Sequence, residues 1–213
     1  MTKIHLTPFV PALIFVALSG CDPASDPVPE PSAQEVYFER LTLLCGKAYS
    51  GKLVSNQDAD AAMAGKPMIM HVSKCDLNEI QIPFHIGEEN GKWNRSRTWT
   101  ITRVDDGLRL KHRHRHEDGK LDEVTNYGGD TADEGSEQRQ EFLVDQLSID
   151  MFKKAGLDQS VTNIWAMEIS PPGKNDARFA YELKRPKEAD DRFFRVEFDL
   201  SKPIDPPPPP WGD

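Results

Sequence analysis

The sequence has little cysteine, little positive charge and few long apolar runs, and each scarcity excludes a class of protein. It has three cysteines, and 26 Lys and Arg residues against 35 Asp and Glu residues. The resulting net charge of −9 argues against nucleic-acid binding, which needs clustered basic residues. The sequence also lacks a GxSxG elbow, a Walker loop, a dinucleotide fingerprint and a CxxCH haem site. No common catalytic motif therefore supports an enzymatic function, and we assign no catalytic residue.

The one strongly apolar run lies at the start of the chain, over Leu6–Leu18. It is shorter than the roughly 20 apolar residues that a membrane-spanning helix needs, and Pro8 and Pro11 interrupt it. A run of this length after Lys3 is typical of a signal peptide. We therefore predict that residues 1–20 direct export and are removed. A plain secretory peptide and a buried apolar start are the alternatives.

The apolar run ends in Leu18-Ser19-Gly20-Cys21, which resembles the lipobox of bacterial lipoprotein signal peptides. The resemblance implies cleavage before Cys21 and attachment of acyl chains there. Two or three chains anchor a protein durably, whereas one is marginal. We predict a periplasm-facing lipoprotein of the cell envelope, whose membrane partner is reached through the lipid at Cys21. Asp22 resembles the inner-membrane retention signal of enteric bacteria, but other bacteria differ, so the choice between inner and outer membrane stays open.

The two remaining cysteines, Cys45 and Cys75, form an even pair in what would be an oxidising compartment. Such pairs usually form disulfides. A bridge would close a loop of about 31 residues and stabilise the fold by roughly 3 to 4 kcal/mol. Two buried free thiols are the alternative.

Composition divides the exported part into three segments. Residues 21–32 form the lipidated cysteine and a Pro-rich tether with nothing to bury. Residues 33–202 form a single β-rich domain, and residues 203–213 form a polyproline tail, which is either a recognition element or a disordered end. Two helices are expected. One begins after Ser32, which has capping-box spacing to Glu35, and the other covers Asp145–Ala155 and stops at Gly156.

From about Ala48 onward, short β-type segments recur about every ten residues, which favours consecutive antiparallel pairing. So many strands need to curve to hide their edges. We predict a mainly β fold, an antiparallel meander closing into a lipocalin-like barrel, with a two-layer sandwich as the alternative. The predicted strands are Ala48–Val54, Pro67–Lys74, Glu79–His85, Arg97–Val104, Leu108–His116, Leu121–Tyr127, Arg139–Val144, Thr162–Ile169, Phe179–Lys184 and Phe193–Leu200.

The stretch Leu108–His116 alternates apolar or imidazole side chains with cations. Successive strand residues point to opposite faces. Leu108 and Leu110 mark the inward face, so His112, His114 and His116 should share it and line the barrel interior or its mouth.

Strand-borne histidines at i and i+2 lie about 6.8 Å apart and can share one metal ion. A third ligand would then come from another strand. A polar pocket wall and a pH-responsive surface are the alternatives to a divalent metal. The residues in this metal hypothesis are His112, His114, His116, His71 and His85, with Glu117 or Glu123 as possible carboxylates.

A second group of residues suggests an anion. If Trp99 and Ile101 point inward, Arg97 shares their face, and its guanidinium can grip a carboxylate or phosphate with two bonds. An ion pair between Arg97 and an acid is the alternative. The segment Tyr127–Asp130 is expected to be a strand end that runs into a loop, where glycines serve a turn or a close approach to a ligand.

Most of the folded part resembles a family of uncharacterised secreted proteins and lipoproteins from proteobacteria. The resemblance covers Gly65 to Leu200 and implies export and a shared fold, but it brings no activity with it. The matching segments are GKPMIMHV, IQIPFHIGEE, RSRTWTITR, LRLKHRHRHEDG, NYGGDT, VTNIWAMEI, RFAYELKRP and FRVEFDL.

These patterns favour a membrane-tethered protein that binds a small, anionic ligand inside a barrel. The predicted pocket wall includes His112, His114, Arg97 and Trp99. A metal-dependent enzyme that uses the strand-borne histidines is one alternative. An envelope scaffold with an unknown protein partner is the other.

Overall fold

The computed structural model describes residues 1–2 and 30–213. The predicted signal peptide, Cys21 and most of the tether lie outside the described residues, so lipidation stays a prediction. Residues 31–213 form one compact unit. Within the described ranges, no helix is long and apolar enough to cross a membrane.

The compact unit is mainly β-structure. Its helices are α1 (Ala33–Thr42) and α2 (Gln146–Lys154), and Asp58–Met63 forms a short 3-10 turn, here called the mouth turn. A second 3-10 turn covers Asp158–Thr162. The strands are β1 (Ala48–Leu53), β2 (Met68–His71), β3 (Lys74–Cys75), β4 (Glu79–Gly87), β5 (Trp93–Val104), β6 (Gly107–His114), β7 (Tyr127–Thr131), β8 (Arg139–Val144), β9 (Ile164–Ile169), β10 (Arg178–Lys184) and β11 (Phe193–Ile204).

Ten of these strands form a closed antiparallel barrel. Each pairs with the next along the chain, and β11 pairs with β1, where Ile204 lies opposite Ala48. The two-residue β3 pairs with β4 alone, outside the ring that β2 and β4 complete. The predicted barrel is therefore confirmed and the sandwich is wrong. Closure removes every free strand edge of the ring.

The barrel interior is filled by apolar side chains that occupy every second residue of the strands. On β9, Trp165, Met167 and Ile169 are all buried, as their spacing predicts. On β4, Ile80, Ile82 and Phe84 point the same way. Each large apolar side chain that is buried in this way stabilises the folded state by about 1.5 to 3 kcal/mol.

Helix α1 closes one end of the barrel. It begins at the predicted capping box, since the Ser32 hydroxyl accepts from the Glu35 amide while the Glu35 carboxylate accepts from the Ser32 amide. Tyr37, Phe38 and Leu41 on its inner face are buried in the core. The disulfide between Cys45 and Cys75 is present at this end, with a Cα–Cα distance of 6.2 Å, so the predicted pairing is confirmed.

The predicted strand Leu121–Tyr127 is wrong, because polar side chains there supply local backbone bonds. Asp122 accepts from the amide of Val124 at 2.9 Å, and Thr125 bonds both backbone groups of His114. Asn126 has a positive φ of 57°. Such side-chain bonds compete with a strand ladder and favour turns.

The expected loop at Tyr127–Asp130 is also wrong, since these residues belong to β7. Gly128 and Gly129 are buried between the neighbouring strands. Their lack of a side chain serves a close approach of backbone to backbone rather than a turn. A Cβ on Gly129 would lie 1.5 Å from the carbonyl oxygen of Leu143.

The polyproline tail packs against the barrel, so the alternative of a disordered end is wrong. Strand β11 already runs to Ile204, two residues into the predicted tail. Beyond it, the amide of Trp211 donates to the carbonyl of Arg95 at 3.1 Å, and Arg95 donates to the carbonyl of Pro209 at 2.5 Å. Asp213 forms an ion pair with Arg113. We call Pro206–Asp213 the strap.

The strap starts beside β1 and reaches β5, so it passes over the outside of the two strands between them, β2 and β4. The distance from β1 to β5 is three strand spacings of roughly 4.8 Å, or about 14 Å. Seven extended residues at about 3.1 Å each are long enough. Pro83, His85 and Thr98 lie on the outward face of β4 and β5, yet they are buried. We infer that the strap covers them.

Ending the chain after Asp205 should therefore lower the free energy of unfolding by about 2 kcal/mol, because it exposes apolar surface and breaks the Trp211 hydrogen bond. Urea denaturation measures the change. The control variant Asp213→Asn keeps the strap and should lose less than about 1 kcal/mol, since exposed ion pairs contribute little. Equal stability of the shortened and full chains would contradict the packing role.

Candidate functional site

A small cavity lies at the barrel end opposite α1, here called the mouth. Helix α1 contacts the last residues of β5 and β7, through Phe38 beside Arg103 and through Gln34 bonded to Thr131. The cavity instead adjoins Arg97 and Trp99, in the first part and the middle of β5, and Tyr127, the first residue of β7. Its volume is about 140 Å³. It is lined by Met63, Phe84, Arg97, Trp99, His112, His114, Tyr127, Tyr181, Leu183, Arg192 and Phe194.

All four residues predicted to form a pocket wall line this cavity. The β5–β6 register places Arg97 opposite His114 and Trp99 opposite His112. Opposite residues of an antiparallel pair point to the same face. Two alternating strands thus bring four side chains from separate parts of the sequence to one inner surface.

His112 is a neutral imidazole with both nitrogens engaged. Its Nδ1 lies 3.2 Å from the carbonyl oxygen of Tyr127, which can only accept, so Nδ1 carries the proton. Nε2 therefore accepts from the Tyr181 hydroxyl at 2.8 Å. Burial, with a smaller effect of His114, lowers the pKa of His112 to about 3. His112 is a fixed wall of the cavity and holds Tyr181 in place.

His114 is half-buried and less constrained. Its Nε2 lies 3.2 Å from the Tyr127 hydroxyl. Burial and the nearby Arg97 guanidinium lower the pKa of His114 to about 4. Either the Tyr127 hydroxyl donates to His114 Nε2, or a protonated Nε2 donates to the hydroxyl oxygen. In the second arrangement the Tyr127 hydroxyl proton is free to face the cavity. This pair can adapt to a ligand by moving one proton.

Arg97 is the cation of the cavity. Its guanidinium donates to Asn94 Oδ1 at 3.1 Å and to Ser96 Oγ at 2.9 Å. Within the described part of the chain it forms no ion pair at a distance of 4.0 Å or less, so the alternative of an Arg97–acid pair is wrong there. Burial lowers the pKa of Arg97 from its usual value.

Aromatic rings form the cavity floor. The Trp99 ring stacks between Phe84, at a centroid distance of 4.8 Å, and Tyr181, at 4.5 Å. Trp99 is 3% exposed. It thus serves mainly as core packing that presents one edge to the cavity.

The mouth turn lies over the cavity at the open end of the barrel, and an ion pair holds it in place. Met63 of the turn lines the cavity. Buried Asp60 forms an ion pair with Arg192 and accepts from the Ser55 hydroxyl at 2.7 Å. Arg192 also donates to Gln57 Oε1 at 2.8 Å. The guanidinium of Arg192 is the second cation beside the cavity, and these bonds to Asp60 and Gln57 make it unavailable to a ligand.

The structure separates the five histidines of the metal hypothesis. His71 and His85 lie on the outward face of β2 and β4, because Met68, Met70, Phe84 and Ile86 take the inward face. His116 lies beyond the end of β6, with a side chain that is 59% exposed. The described residues contain no group of three His, Cys, Asp or Glu that could hold a metal ion. Among the described residues, no third ligand from another strand therefore lies beside His112 and His114.

Three polar residues of the cavity, Tyr181, Tyr127 and Arg192, were not predicted as site residues from the sequence. Tyr181 alternates with Phe179 and Leu183, so the period of β10 could have placed it inside. Tyr127 was missed because it was assigned to the end of a strand that does not form. No local pattern marks Arg192, whose position depends on the mouth turn.

Wider hollows lie on the outer surface, including one of about 530 Å³ between β1, β10 and β11 and one of about 690 Å³ beside Leu43 and Leu77. Their walls are largely ordinary surface residues. The interior cavity is smaller, but a buried imidazole, an uncommitted guanidinium and two tyrosines converge on it, which is typical of a ligand site.

Comparison of the chain with models of known protein families and with curated protein sequences finds no match. Membership of the proteobacterial family therefore stays a prediction from the sequence. The class that fold and site together define is a closed β-barrel with a charged cavity at its mouth.

Proposed function

We propose that this protein is a membrane-anchored envelope lipoprotein that binds a small anionic ligand at the mouth of its barrel. The observation that carries the binding proposal is Arg97, a cation that lines an interior cavity without an ion pair among the described residues. The lipobox and the Cys45–Cys75 disulfide support the location, since disulfides persist in oxidising compartments.

An anion would resolve the electrostatic cost of this cation. Burying an arginine away from water is unfavourable unless hydrogen bonds and an opposite charge compensate for it. Asn94 and Ser96 compensate with two hydrogen bonds, and the Asp122 carboxylate acts on Arg97 from beyond ion-pair distance. A carboxylate or similar oxyanion would supply a directly bonded opposite charge through two parallel bonds.

Binding should tighten as the pH falls. An anion beside His114 would favour its charged form, so the complex has a higher His114 pKa than the free protein, where it is about 4. Ligand binding then takes up a proton between the two pKa values, and linkage requires higher affinity at lower pH over that interval. Titration of nitrate, which stays ionised over this interval, at pH 7 and pH 5 measures this effect.

We favour binding over the metal-dependent enzyme because the histidines of the cavity do not form a ligand set. Both nitrogens of His112 are engaged, and only His114 stands beside it at the cavity. The scaffold alternative has no specific surface observation in its favour.

Replacing Arg97 with glutamine should weaken binding of small anions at least tenfold, because hydrogen bonds to a charged group contribute about 1.5 to 3 kcal/mol. The probes are sodium acetate, nitrate and sulfate at constant ionic strength, followed by NMR of the 15N-labelled full-length chain in mild detergent. Arg109→Gln is the matched control, since Arg109 lies on the outward face of β6 and pairs with Asp130. Loss of binding in both variants, or in neither, would overturn the proposal.

A further inference from the structure

The cavity offers its ligand a single positive charge. Arg97 and Arg192 are the two arginines that line it. Arg192 is bound to Asp60 of the mouth turn and to Gln57, the residue just before the turn. Both histidines of the cavity are neutral near pH 7, because burial lowers their pKa values to about 3 and about 4. The Asp122 carboxylate, which does not line the cavity, partly offsets the charge of Arg97. One free cation with this offset matches an anion with no more than one negative charge.

The polar groups lie on one side of the cavity. Arg97, His114 and the Tyr127 hydroxyl are close together, since His114 pairs with Arg97 across the β5–β6 ladder and lies 3.2 Å from that hydroxyl. The Tyr127 hydroxyl can donate to a ligand when His114 carries its proton on Nε2. Together these groups match a planar head with two acceptor oxygens.

The remaining wall is mostly apolar. Besides His112, Tyr181 and Arg192, whose polar groups bind protein partners, it is made of Met63, Phe84, Trp99, Leu183 and Phe194. A tetrahedral dianion such as sulfate would direct unpaired oxygens at these side chains, and unpaired buried oxygens are costly. A short hydrocarbon chain would instead gain from burial there.

The cavity volume limits the length of that chain. About 140 Å³ is close to the roughly 150 Å³ of an apolar protein cavity that holds one benzene, so about six non-hydrogen atoms fit. Acetate has four non-hydrogen atoms, propionate has five and butyrate has six. A longer chain would extend beyond this volume toward Met63 and the mouth turn, which the Asp60–Arg192 pair holds down.

We infer that the ligand is a short-chain monocarboxylate of two to four carbons, with its carboxylate on Arg97 and its chain against the Trp99 and Leu183 side. The inference rests on the proposed function, because it names the chemical class of the anion that the same cavity binds.

The experiment compares acetate, propionate, butyrate and hexanoate with nitrate and sulfate. All are titrated into the 15N-labelled full-length chain at pH 6.5 and constant ionic strength, with the arginine Nε–H resonances as the readout. Affinity should rise about fourfold per methylene from acetate to propionate, the gain expected for burying one methylene, and fall again by hexanoate. Sulfate should bind at least tenfold more weakly than propionate.

A variant that narrows the apolar side provides the matched control. Leu183→Phe should remove the preference for propionate over acetate, because the larger side chain fills space on the apolar wall that the added methylene would occupy. Near-UV circular dichroism checks that the barrel is intact. Leu183→Val provides a second variant if the larger side chain impairs folding, and it should extend the preference to longer chains.

The outcomes separate this inference from the proposed function. If sulfate or nitrate binds more tightly than the carboxylates and Arg97→Gln abolishes it, the ligand class is wrong and anion binding stands. If no probe shifts the Arg97 resonance, both are overturned. If affinity rises with chain length and Leu183→Phe cancels the rise, both are supported.

Discussion

Replacing Gly129 with alanine is expected to destabilise the barrel by more than about 4 kcal/mol, a loss that few single substitutions cause. Gly129 lies on β7, opposite Val144 of β8. An added Cβ would lie 1.5 Å from the Leu143 carbonyl oxygen and 2.5 Å from the Leu143 carbonyl carbon. Backbone atoms cannot rotate away as a side-chain end can, so β7 and β8 would have to separate.

Separation of β7 and β8 would break the closed ring, so the loss should appear as a cooperative shift of the whole unfolding transition. Urea denaturation followed by circular dichroism measures it. Gly173→Ala is the matched control, because Gly173 has a positive φ of 80° but nothing within 4 Å of an added Cβ. It should cost only about 1 to 2 kcal/mol. Similar losses in the two variants would mean that the close approach at Gly129 is not a constraint on the fold.

The strands and the inner face of the site could be predicted because both depend on local periodicity. Trp165, Met167 and Ile169 are buried as their alternation requires. The same rule placed Arg97 and His114 on the inner face, and the antiparallel meander brought β5 and β6 together. Here the alternation of residues within a strand and the pairing of neighbouring strands are enough to define four cavity residues.

The features that the sequence did not reveal depend on contacts between distant segments. The strap reaches β5 from β11, and no local pattern in Pro206–Pro210 indicates which surface it covers. Arg192 reaches the cavity only because Asp60, more than 130 residues earlier, ties the mouth turn to it. His85 has the same local pattern as an exposed residue of β4, yet it is buried. Its burial comes from the outer side of the barrel, where alternation alone predicts contact with water.

Acid should destabilise the protein between pH 6.5 and pH 4, with His85 as a major cause. Its side chain is 0% exposed, and both ring nitrogens lack a hydrogen-bond partner among the described residues. Burial, then Arg95 of β5 and His71 of β2, lowers the pKa of His85 from 6.5 to about 4. The prolines of the strap bring no charge to offset these effects. Between pH 6.5 and about pH 4, His85 therefore binds a proton in the unfolded chain but stays neutral in the folded one. The stability that is present above pH 6.5 is lost as the pH falls to about 4.

A decrease of this size in the pKa corresponds to about 3 kcal/mol of stability lost over that interval. His85→Leu should remove this part of the loss, so that the variant unfolds in urea with a flatter dependence on pH. At pH 7 it should be at least as stable as the natural chain, because an apolar side chain replaces a buried group without partners. The control His116→Leu changes an exposed histidine and should keep the natural pH profile. If His85→Leu keeps that profile as well, His85 is not held neutral beneath the strap, and the outer covering of β4 would have to be assigned differently.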